Sequence, residues 1–315
     1  MGPEPVTSLP CDLCGYRTVR PVLTGRDRRH GVPGVYRIVA CTGCGLARTD
    51  PRPRDPAAAY PEDEYMNYGE RTDLAGRVFS AVARGTASGR WPARVLPLAR
   101  AAVPAAELGG VLPRGARVLD VGAGSGHAVA ALRAAGLDAH GIEPSARAVT
   151  AARVAGVDTV FQGRFEEAEL EPVAWDVIRF WHTLEHLERP VEALRRARAA
   201  LSPGGRVVVG VPNFGGAGRR LFGAAWDGLE LPRHLHHFTP RTLARAFGVV
   251  GLTVTSIRTA PIMGVLAGSI DARTRRGDVQ RPAADRTAIR LVLYPLEWAF
   301  AALGAGDGIV AVAES

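Results

Sequence analysis

The central part of the chain alternates short apolar runs with amphipathic stretches, a pattern typical of strands joined by helices. The run ARVLDV (116–121) has the character of a buried parallel strand and ends at a glycine-rich turn. The next stretch, AVAALRAAG (128–136), predicts a helix that closes at its last glycine. LDAHGIE (137–143) then predicts a second strand. This order of strand, turn, helix and strand favours an α/β fold with a parallel sheet.

The two ends of the chain follow other patterns. GVPGVYRIVA (31–40) alternates well enough to predict a strand. Thr239 and Pro240 offer an N-cap and a first helical residue, so RTLARAFG (241–248) predicts a helix. The apolar run 289–306 is too short, and too interrupted by a proline and a glutamate, to span a bilayer. We expect it to be a helix that covers the core.

Composition adds bounds rather than a function. The 315 residues are 47% hydrophobic and 22% charged, an ordinary globular balance. The chain contains no lysine, so all 39 basic residues are arginine, which together with the abundant Ala, Gly and Pro indicates a coding bias. This bias weakens any inference from the net charge of +8 to a nucleic-acid partner. No signal peptide is visible at the N-terminus, and we expect a soluble, cytoplasmic protein without membrane insertion.

All four cysteines lie in two C-x-x-C pairs. Cys11 and Cys14 belong to CDLCG, and Cys41 and Cys44 belong to CTGCG. The spacing fits a four-cysteine zinc ribbon, in which the glycine after each pair lets the backbone turn tightly towards the thiolates. Two disulfides are the alternative, but no secretory signal supports them, and a redox role would leave one pair unexplained. We predict a structural zinc, because four thiolates leave no open coordination position.

The turn after the first predicted strand points to a nucleoside cofactor. Gly122, Gly124 and Gly126 follow Asp120 in the spacing D-x-G-x-G-x-G. Such glycines let the backbone approach a ligand, and an acid about 20 residues further on can bind ribose hydroxyls. Glu143 stands at that position. The further glycine that seats a pyrophosphate in G-x-G-x-x-G is absent, which disfavours a dinucleotide.

VLDVGAGSG and GIEPS together resemble the first two motifs of class I S-adenosylmethionine-dependent methyltransferases. Later segments resemble that family's fourth to seventh strands in the same order, at 175–181, 201–213, 251–260 and 308–315. The resemblance implies an α/β, doubly wound, seven-stranded Rossmann-like sheet whose last strand is antiparallel. It divides the chain into a zinc ribbon (1–50), a linker and helical lead-in (51–110), and a methyltransferase domain (111–315) with an insertion (262–306).

The resemblance also implies cofactor contacts. They come from Asp120, Gly122, Gly124, Gly126, Glu143, Arg164, Phe165 and Trp181. Asp120 and the glycines should face the methionine moiety, Glu143 the ribose, and Arg164 and Phe165 the adenine. Many relatives have Asp where Arg164 stands, so Glu166 or a backbone group is the alternative partner of the adenine amino group. Phe180 and Trp181 end the fourth strand, and we expect one of them to line the cofactor and the other to belong to the core.

Three polar residues follow the fourth strand, at the sheet edge where ligands bind in open α/β folds. If they begin a helical turn, the i, i+3, i+4 spacing of His182, Glu185 and His186 places them on one face. HTLEHL resembles the LEH element of ubiquinone-pathway O-methyltransferases and the ExxEH element of small-RNA 2′-O-methyltransferases, both associated with a divalent metal. Here His182 replaces the first acid, which favours proton transfer or substrate binding over a second divalent ion at these residues. Structural hydrogen bonding is the third alternative.

LELPRHLHHFTP (229–240) forms an extended lead-in to the helix after Thr239. Alternation sends His234 and His236 to one side and His237 to the other. The segment resembles one in the zinc-ribbon methyltransferases of bacterial saccharide and natural-product pathways. We therefore predict that His234 and His236 help to form the acceptor pocket while His237 packs or caps. A purely structural role for all three is the alternative.

The function that this pattern predicts is methyl transfer from S-adenosylmethionine to a small-molecule acceptor, most of all O-methylation of a sugar, glycolipid intermediate or natural product. A histidine, which titrates near neutrality, suits removal of the hydroxyl proton. A zinc-ribbon RNA methyltransferase is the alternative, although the N-P-P-Y-type motif of amino-directed nucleic-acid enzymes is absent. A catalytically silent scaffold is the third hypothesis. The acceptor and the oligomeric state stay open.

Overall fold

The computed structural model describes residues 6–7, 9–28, 30–53, 108, 112–274 and 287–315. Its strands are β1 (Val6–Thr7), β2 (Thr18–Gly25), β3 (Tyr36–Cys41), β4 (Ala47–Asp50), β5 (Arg117–Val121), β6 (Asp138–Glu143), β7 (Val160–Gln162), β8 (Trp175–Trp181), β9 (Leu201–Pro212), β10 (His236–His237), β11 (Thr253–Ala260) and β12 (Gly308–Glu314). Its α-helices are α1 (His127–Ala134), α2 (Ala146–Val154), α3 (Pro190–Ala200), α4 (Ala217–Phe222), α5 (Pro240–Val249), α6 (Val265–Thr274) and α7 (Thr287–Ala302).

The large sheet has seven strands in the order β11-β12-β9-β8-β5-β6-β7. The pairs β5–β6, β6–β7, β5–β8 and β8–β9 are parallel, whereas β12 runs antiparallel to both of its neighbours. This confirms the predicted seven-stranded sheet with its antiparallel last strand. The chain leaves β5 towards β6 on one side and later returns beside β5 as β8. The carboxyl ends of β5 and β8 therefore flank the topological switch point, where ligands bind in such sheets.

Helices cover both faces of this sheet because side chains of successive strand residues point to opposite faces. On one face, Val177 of β8 packs with Val129 of α1 and Val149 of α2. On the other face, Phe180 packs with apolar residues of α3 and α5, among them Leu194 and Phe247. Buried apolar residues on both faces give the near-continuous hydrophobic strands that the sequence shows.

The small sheet has the order β1-β2-β3-β4-β10, and each described pairing in it is antiparallel. Its last strand comes from far along the chain: His236 lies opposite Arg48, and His237 opposite Ala47. The cysteine-bearing ribbon therefore takes one strand from the segment that follows β9. The ribbon also packs on the face of the large sheet covered by α3 and α5, since Leu13 and Leu46 belong to that core.

The predicted linker and helical lead-in lie outside the described residues, except at 51–53 and 108. Of the predicted insertion 262–306, the structure describes α6 and α7, which pack together. Glu297 of α7 accepts hydrogen bonds from the N–H groups of Gly264 and Leu266 at the start of α6. In the described ranges, no helix has both the length and the apolar character to cross a membrane.

Two buried carboxyl groups should make stability fall as the pH rises. Burial raises the pKa of Glu297 from 4.5 to about 7 and that of Asp307 from 3.8 to about 6, although backbone N–H groups oppose the shift. Between the ordinary pKa and the raised pKa of each group, the folded state binds more protons than the unfolded chain. The free energy of unfolding therefore decreases as the pH rises through this range.

We expect Glu297→Gln to reduce this loss by about 1–2 kcal/mol, because the amide keeps a hydrogen-bond acceptor and removes the buried charge. Urea unfolding at pH 5 and pH 8 measures the difference. Glu192→Gln is the control, since Glu192 is an exposed helix residue paired with Arg195. The same pH dependence in the Glu297 variant and in the unsubstituted protein would contradict the expectation.

Candidate functional site

The glycine-rich turn joins β5 to α1 and requires glycine for two reasons. Gly122, Gly124 and Gly126 have positive φ angles of 75°, 53° and 75°, a conformation that other residues rarely adopt. At Gly122 there is also no room, because a Cβ atom would lie 2.5 Å from Thr183 Oγ1. At Gly124 a Cβ would meet nothing within 4 Å, so the space beside this part of the turn is open to a ligand.

Glu143 ends β6 beside this turn. Its two carboxylate oxygens accept hydrogen bonds from the N–H groups of Gly124 and Ser145, each at 2.9 Å. Burial raises the pKa of this carboxyl and the charge of Asp120 raises it further, while the two N–H groups lower it. Each oxygen keeps a further lone pair, so the carboxylate can accept from two adjacent hydroxyl groups.

Asp120 forms a buried ion pair that the sequence interpretation missed. Its Oδ1 lies 2.6 Å from an amino nitrogen of Arg179, directly opposite on β8, and both residues are 3% exposed. The Arg179 guanidinium also stacks 4.6 Å from the centroid of Trp181, whose ring lies against Gly210. The available signal was an arginine inside the otherwise apolar run DVIRFW, on a strand beside an aspartate.

The residues predicted to lie near adenine occupy two environments. Phe165 is buried in the core, edge to face with Phe180 at 5.3 Å between ring centroids. Of the two aromatic residues that end β8, Phe180 belongs to the core and Trp181 is partly exposed. Arg164 is half exposed and pairs with Glu167 at 3.4 Å and with Glu166 at 3.9 Å. The contacts of these residues with a cofactor stay predictions.

The turn after β8 carries His182 and Glu185 into one contact. His182 extends the strand ladder by donating its N–H to the Gly210 carbonyl, but its φ of 51° turns the chain sharply. The 3-10 turn Leu184–His186 then places Glu185 Oε1 3.5 Å from His182 Nδ1. The His182 side chain is 38% exposed and that of Glu185 only 1%. A buried carboxylate thus faces a histidine that solvent can reach.

His186 and His234 lie beside this contact, with their ring centroids 4.6 Å apart. Together with His182 and Glu185 they form the histidine cluster. Nδ1 of His186 lies 3.2 Å from the carbonyl of Arg233, and Nδ1 of His234 lies 3.0 Å from that of Gly228. Because a carbonyl only accepts, each Nδ1 carries the proton, and each Nε2 in the neutral ring is an acceptor or ligand atom. Burial lowers the pKa of His234 to about 4, helped by the charge of His186, so this ring is neutral at pH 7.

Donor atoms of Glu185, His186 and His234 lie within 4.8 Å of one another, close enough to hold a metal ion. The sequence interpretation instead grouped His182 with Glu185 and His186 as the set for a second divalent ion. His234 takes the place of His182 in the described structure, because the 3-10 turn begins only at Leu184 and leaves His182 outside it. Burial raises the pKa of Glu185, but the neighbouring histidines, His182 first, outweigh this and lower it.

The predicted alternation along the histidine segment is wrong. His236 points to the ribbon, with Nε2 2.9 Å from Asp12 Oδ2, so the structure does not bring it together with His234. His237 packs as predicted, near Phe214 and hydrogen-bonded to Thr49. The reason is that regular strand geometry covers only β10, whereas the N–H of His234 closes a turn to the carbonyl four residues earlier.

The four cysteines come together as predicted, with their sulfurs within 4.8 Å of one another. Two of the distances, Cys11 to Cys44 and Cys14 to Cys41, are 3.5 Å. Sulfurs bound to a tetrahedral zinc at about 2.3 Å lie about 3.8 Å apart, so the arrangement fits the ion. Burial raises the pKa of Cys11 to about 11, and a cation is therefore needed to hold it as a thiolate at neutral pH.

Comparisons with known proteins place this chain among methyltransferases. The model of a family described as "Methyltransferase domain" matches residues 96–257, just over half of the chain. The ubiquinone biosynthesis O-methyltransferase of Bordetella avium is 30% identical over 164 residues, which are 48% of this chain and 68% of that protein. The protein of the same name from Xanthomonas oryzae is 30% identical over 132 residues, 39% of this chain and 55% of that protein.

The chain thus spans about half to two thirds of the length of these relatives. Among solved structures, an S-adenosylmethionine-dependent methyltransferase from Mesorhizobium loti is 19% identical. The match covers 65% of this chain and 94% of that one, with a TM-score of 0.46.

The cysteine cluster predicts one tightly bound zinc per chain. We expect Cys44→Ser to lose this zinc and to lower the melting temperature, because metal-binding free energy at such a site contributes directly to folding. Elemental analysis and thermal unfolding of the purified proteins measure both effects. Thr42→Ser is the control, since Thr42 lies between two of the cysteines and binds a backbone carbonyl through its hydroxyl. Full zinc content in the Cys44 variant would refute the assignment.

Proposed function

This chain belongs to the methyltransferase-domain family and is an S-adenosylmethionine-dependent methyltransferase; we propose that it methylates a hydroxyl group of a small-molecule acceptor. In this proposal a histidine of the cluster after β8 removes the hydroxyl proton. A sugar, a glycolipid intermediate and another natural product are the acceptor classes. Support comes from relatives named as ubiquinone biosynthesis O-methyltransferases. It also comes from the segment 229–240, which resembles one in the zinc-ribbon methyltransferases of saccharide and natural-product pathways.

The observation that carries the proposal is the position of the histidine cluster beside the glycine turn. Thr183, which follows His182, donates its hydroxyl to the carbonyl of Val121 at 2.8 Å, and Val121 is the last residue of β5. The histidine-bearing turn is therefore hydrogen-bonded to the strand that leads into the glycines. A cofactor over the turn and an acceptor over the histidines would be neighbours, as methyl transfer requires.

The residues on the β5 side fit the cofactor. Bound S-adenosylmethionine supplies a methyl group on a sulfonium, which transfers readily to an aligned nucleophile. The open backbone at Gly124 gives space beside the turn, and Glu143 offers acceptors for the two ribose hydroxyls. We assign Asp120 to the methionine side, with its charge held in place by Arg179.

On the acceptor side, we assign His182 as the general base. It is the exposed member of the cluster, and the buried carboxylate of Glu185 orients its ring from 3.5 Å. Nε2 of His182 would accept the proton while the acceptor oxygen forms its bond to the methyl carbon. When bound, S-adenosylmethionine would supply the methyl group and its sulfur would keep the electron pair of the broken carbon–sulfur bond. His234 is the second choice of base because its Nε2 is an acceptor, but the ring is buried.

A second candidate arrangement places a divalent cation at Glu185, His186 and His234. It is favoured by the two Nε2 atoms, whose partner nitrogens are both committed to backbone carbonyls, and by the buried carboxylate between the rings. Fixing the tautomer through Nδ1 is the usual way in which a protein prepares a histidine ligand. The cation would then lower the pKa of an acceptor hydroxyl, and His182 would still remove the proton.

The first experiment is to measure formation of S-adenosylhomocysteine by the zinc-loaded protein with the small-molecule fraction, and separately with the RNA fraction, of host extract. We expect turnover with small molecules. Turnover with RNA alone would refute the proposal and would support the RNA methyltransferase alternative. The salt dependence of substrate binding is a second readout, because it is steep only for a polyanion.

We expect His182→Ala to lower kcat by about 10²- to 10⁴-fold, the usual contribution of a general base. Its affinity for S-adenosylmethionine should stay unchanged, whereas Glu143→Gln should weaken that affinity. Steady-state kinetics and calorimetric titration separate the two effects. His140→Gln is the control, because His140 packs on Trp175 at the opposite end of β8. Normal kcat in the His182 variant would contradict its assignment as base.

The cation arrangement predicts a second metal equivalent beyond the ribbon zinc. We expect Mn²⁺ binding to be lost in His234→Ala and retained in His182→Ala and Cys44→Ser. Of these three residues, His234 alone belongs to the proposed ligand set. Electron paramagnetic resonance of added Mn²⁺ reports binding without reference to activity. If the protein binds no second metal, and a chelator that spares the ribbon zinc leaves turnover intact, this arrangement is refuted.

A further inference from the structure

The segment from Glu230 to His237, which carries His234, is fixed to the ribbon at both of its ends. At the first end, Arg233 forms an ion pair with Asp27 at 3.1 Å, and both side chains are 1% exposed. Asp27 lies just after β2 and also accepts hydrogen bonds from the N–H groups of His30 and Val32. A loop of the ribbon thus holds a buried arginine of this segment by charge.

At the second end, His236 contacts the first cysteine knuckle. Its Nε2 lies 2.9 Å from the carboxylate of Asp12, a residue between Cys11 and Cys14. Asp12 also accepts from Arg52 at 2.8 Å, and Arg52 donates in turn to the carbonyl of Glu188, beyond the 3-10 turn. The pairing of β10 with β4 joins the two backbones at the same place.

Between these ends, the segment faces the proposed catalytic cluster. Arg233 Nε lies 3.3 Å from Glu230 Oε1, and the other oxygen of Glu230 lies 3.6 Å from His234 Nε2. The carbonyl of Arg233 faces Nδ1 of His186, and the N–H of Leu235 donates to the carbonyl of Glu185 at 2.8 Å. Three residues of alternating charge, the buried Asp27 and Arg233 and the largely buried Glu230, therefore form a line that leads to the neutral ring of His234.

Stability alone does not account for this arrangement. Buried ion pairs cost desolvation, and apolar residues of similar volume are often as stabilising or more so. The ribbon also contains an ordinary surface pair, Arg37 with Asp50 at 3.2 Å, with side chains 52% and 29% exposed, which touches none of the cluster. The buried line differs from this surface pair because its last carboxylate, that of Glu230, lies 3.6 Å from Nε2 of His234.

We propose that the ribbon is the positioning frame of the acceptor site, and that Arg233, held by Asp27, is a positioning residue for His234. Arg233 holds the carboxylate of Glu230 3.6 Å from Nε2 of His234, where its negative charge would stabilise that nitrogen once it takes up a proton or binds a cation. The carbonyl of Arg233 fixes the tautomer of His186. This inference rests on the proposed function, because it gives His234 a part in the reaction. It assigns the ribbon to the acceptor side rather than to a separate nucleic-acid partner.

The test compares Asp27→Asn, Asp12→Asn and Arg233→Lys, with Arg37→Gln as the control in the surface pair. Asp12 is partly exposed, so its variant should fold even if loss of the buried Asp27 charge proves too destabilising. The readouts are the NMR resonances of the His234 ring at fixed pH in ¹⁵N-histidine-labelled, zinc-loaded protein, the affinity for S-adenosylmethionine, and kcat with its pH profile.

We expect Asp27→Asn and Asp12→Asn to shift the His234 ring resonances and to lower kcat about 10- to 100-fold, as for residues that orient a reactive group. Affinity for S-adenosylmethionine should stay unchanged, because Glu143 and the glycine turn are untouched. Arg233→Lys should lower kcat by less, because lysine keeps the positive charge, and Arg37→Gln should change none of the readouts. Folded Asp27 and Asp12 variants with an unaltered His234 signal and normal kcat would overturn the inference.

A failure of the proposed function gives a different result: the unsubstituted protein then forms no S-adenosylhomocysteine with small molecules. If the unsubstituted protein turns over and His234→Gln keeps full activity, His234 has no part in the reaction and the inference is overturned, while the proposed function, with His182 as base, stands. A lowered melting temperature in Asp27→Asn with normal kcat and pH profile would assign the buried line to stability only, and would also overturn the inference.

Discussion

The pairing of β5 with β8 is the interaction on which the site depends. These strands are neighbours at the switch point of the sheet, so their carboxyl ends open side by side. β5 continues into the glycine turn and β8 into the histidine turn. The hydroxyl of Thr183, in the histidine turn, donates a hydrogen bond to the carbonyl of Val121 at the end of β5. The same pairing sets Asp120 opposite Arg179. A shift of register by one residue would separate both contacts and reverse the faces of β8.

Two buried carboxylates at this edge differ because their neighbours differ. Glu143 has its pKa raised by burial and by the charge of Asp120, although two backbone N–H groups bind it. Glu185 is more deeply buried, yet its pKa is lowered because three histidines surround it. The first suits the binding of neutral hydroxyl groups, and the second suits holding positive charge, whether on a protonated ring or on a cation.

Among the described residues, the ribbon contacts the catalytic domain in two kinds of way. One is apolar, since residues of the ribbon belong to the core that α3 and α5 cover. The other is polar and runs through Asp12 and Asp27 to the segment around His234. The apolar contact gives burial without direction, whereas ion pairs and strand pairing fix orientation. The second connection therefore defines where the histidines point.

The sequence by itself determined the features that local chemistry controls. The glycine turn, the cysteine knuckles and the helix cap at Thr239 follow from nearby residues and from regular periodicity, and the resemblance to a known family implied the seven-stranded sheet. Tertiary structure decided which polar side chains meet. His234 rather than His182 joins Glu185 and His186, while His236 faces Asp12, 224 residues away in sequence. Glu230 and Arg233 carry no local sequence pattern that indicates their partners. Periodicity sets the direction of a side chain only within a regular element, whereas a turn or a two-residue strand takes its direction from the surfaces that it packs against.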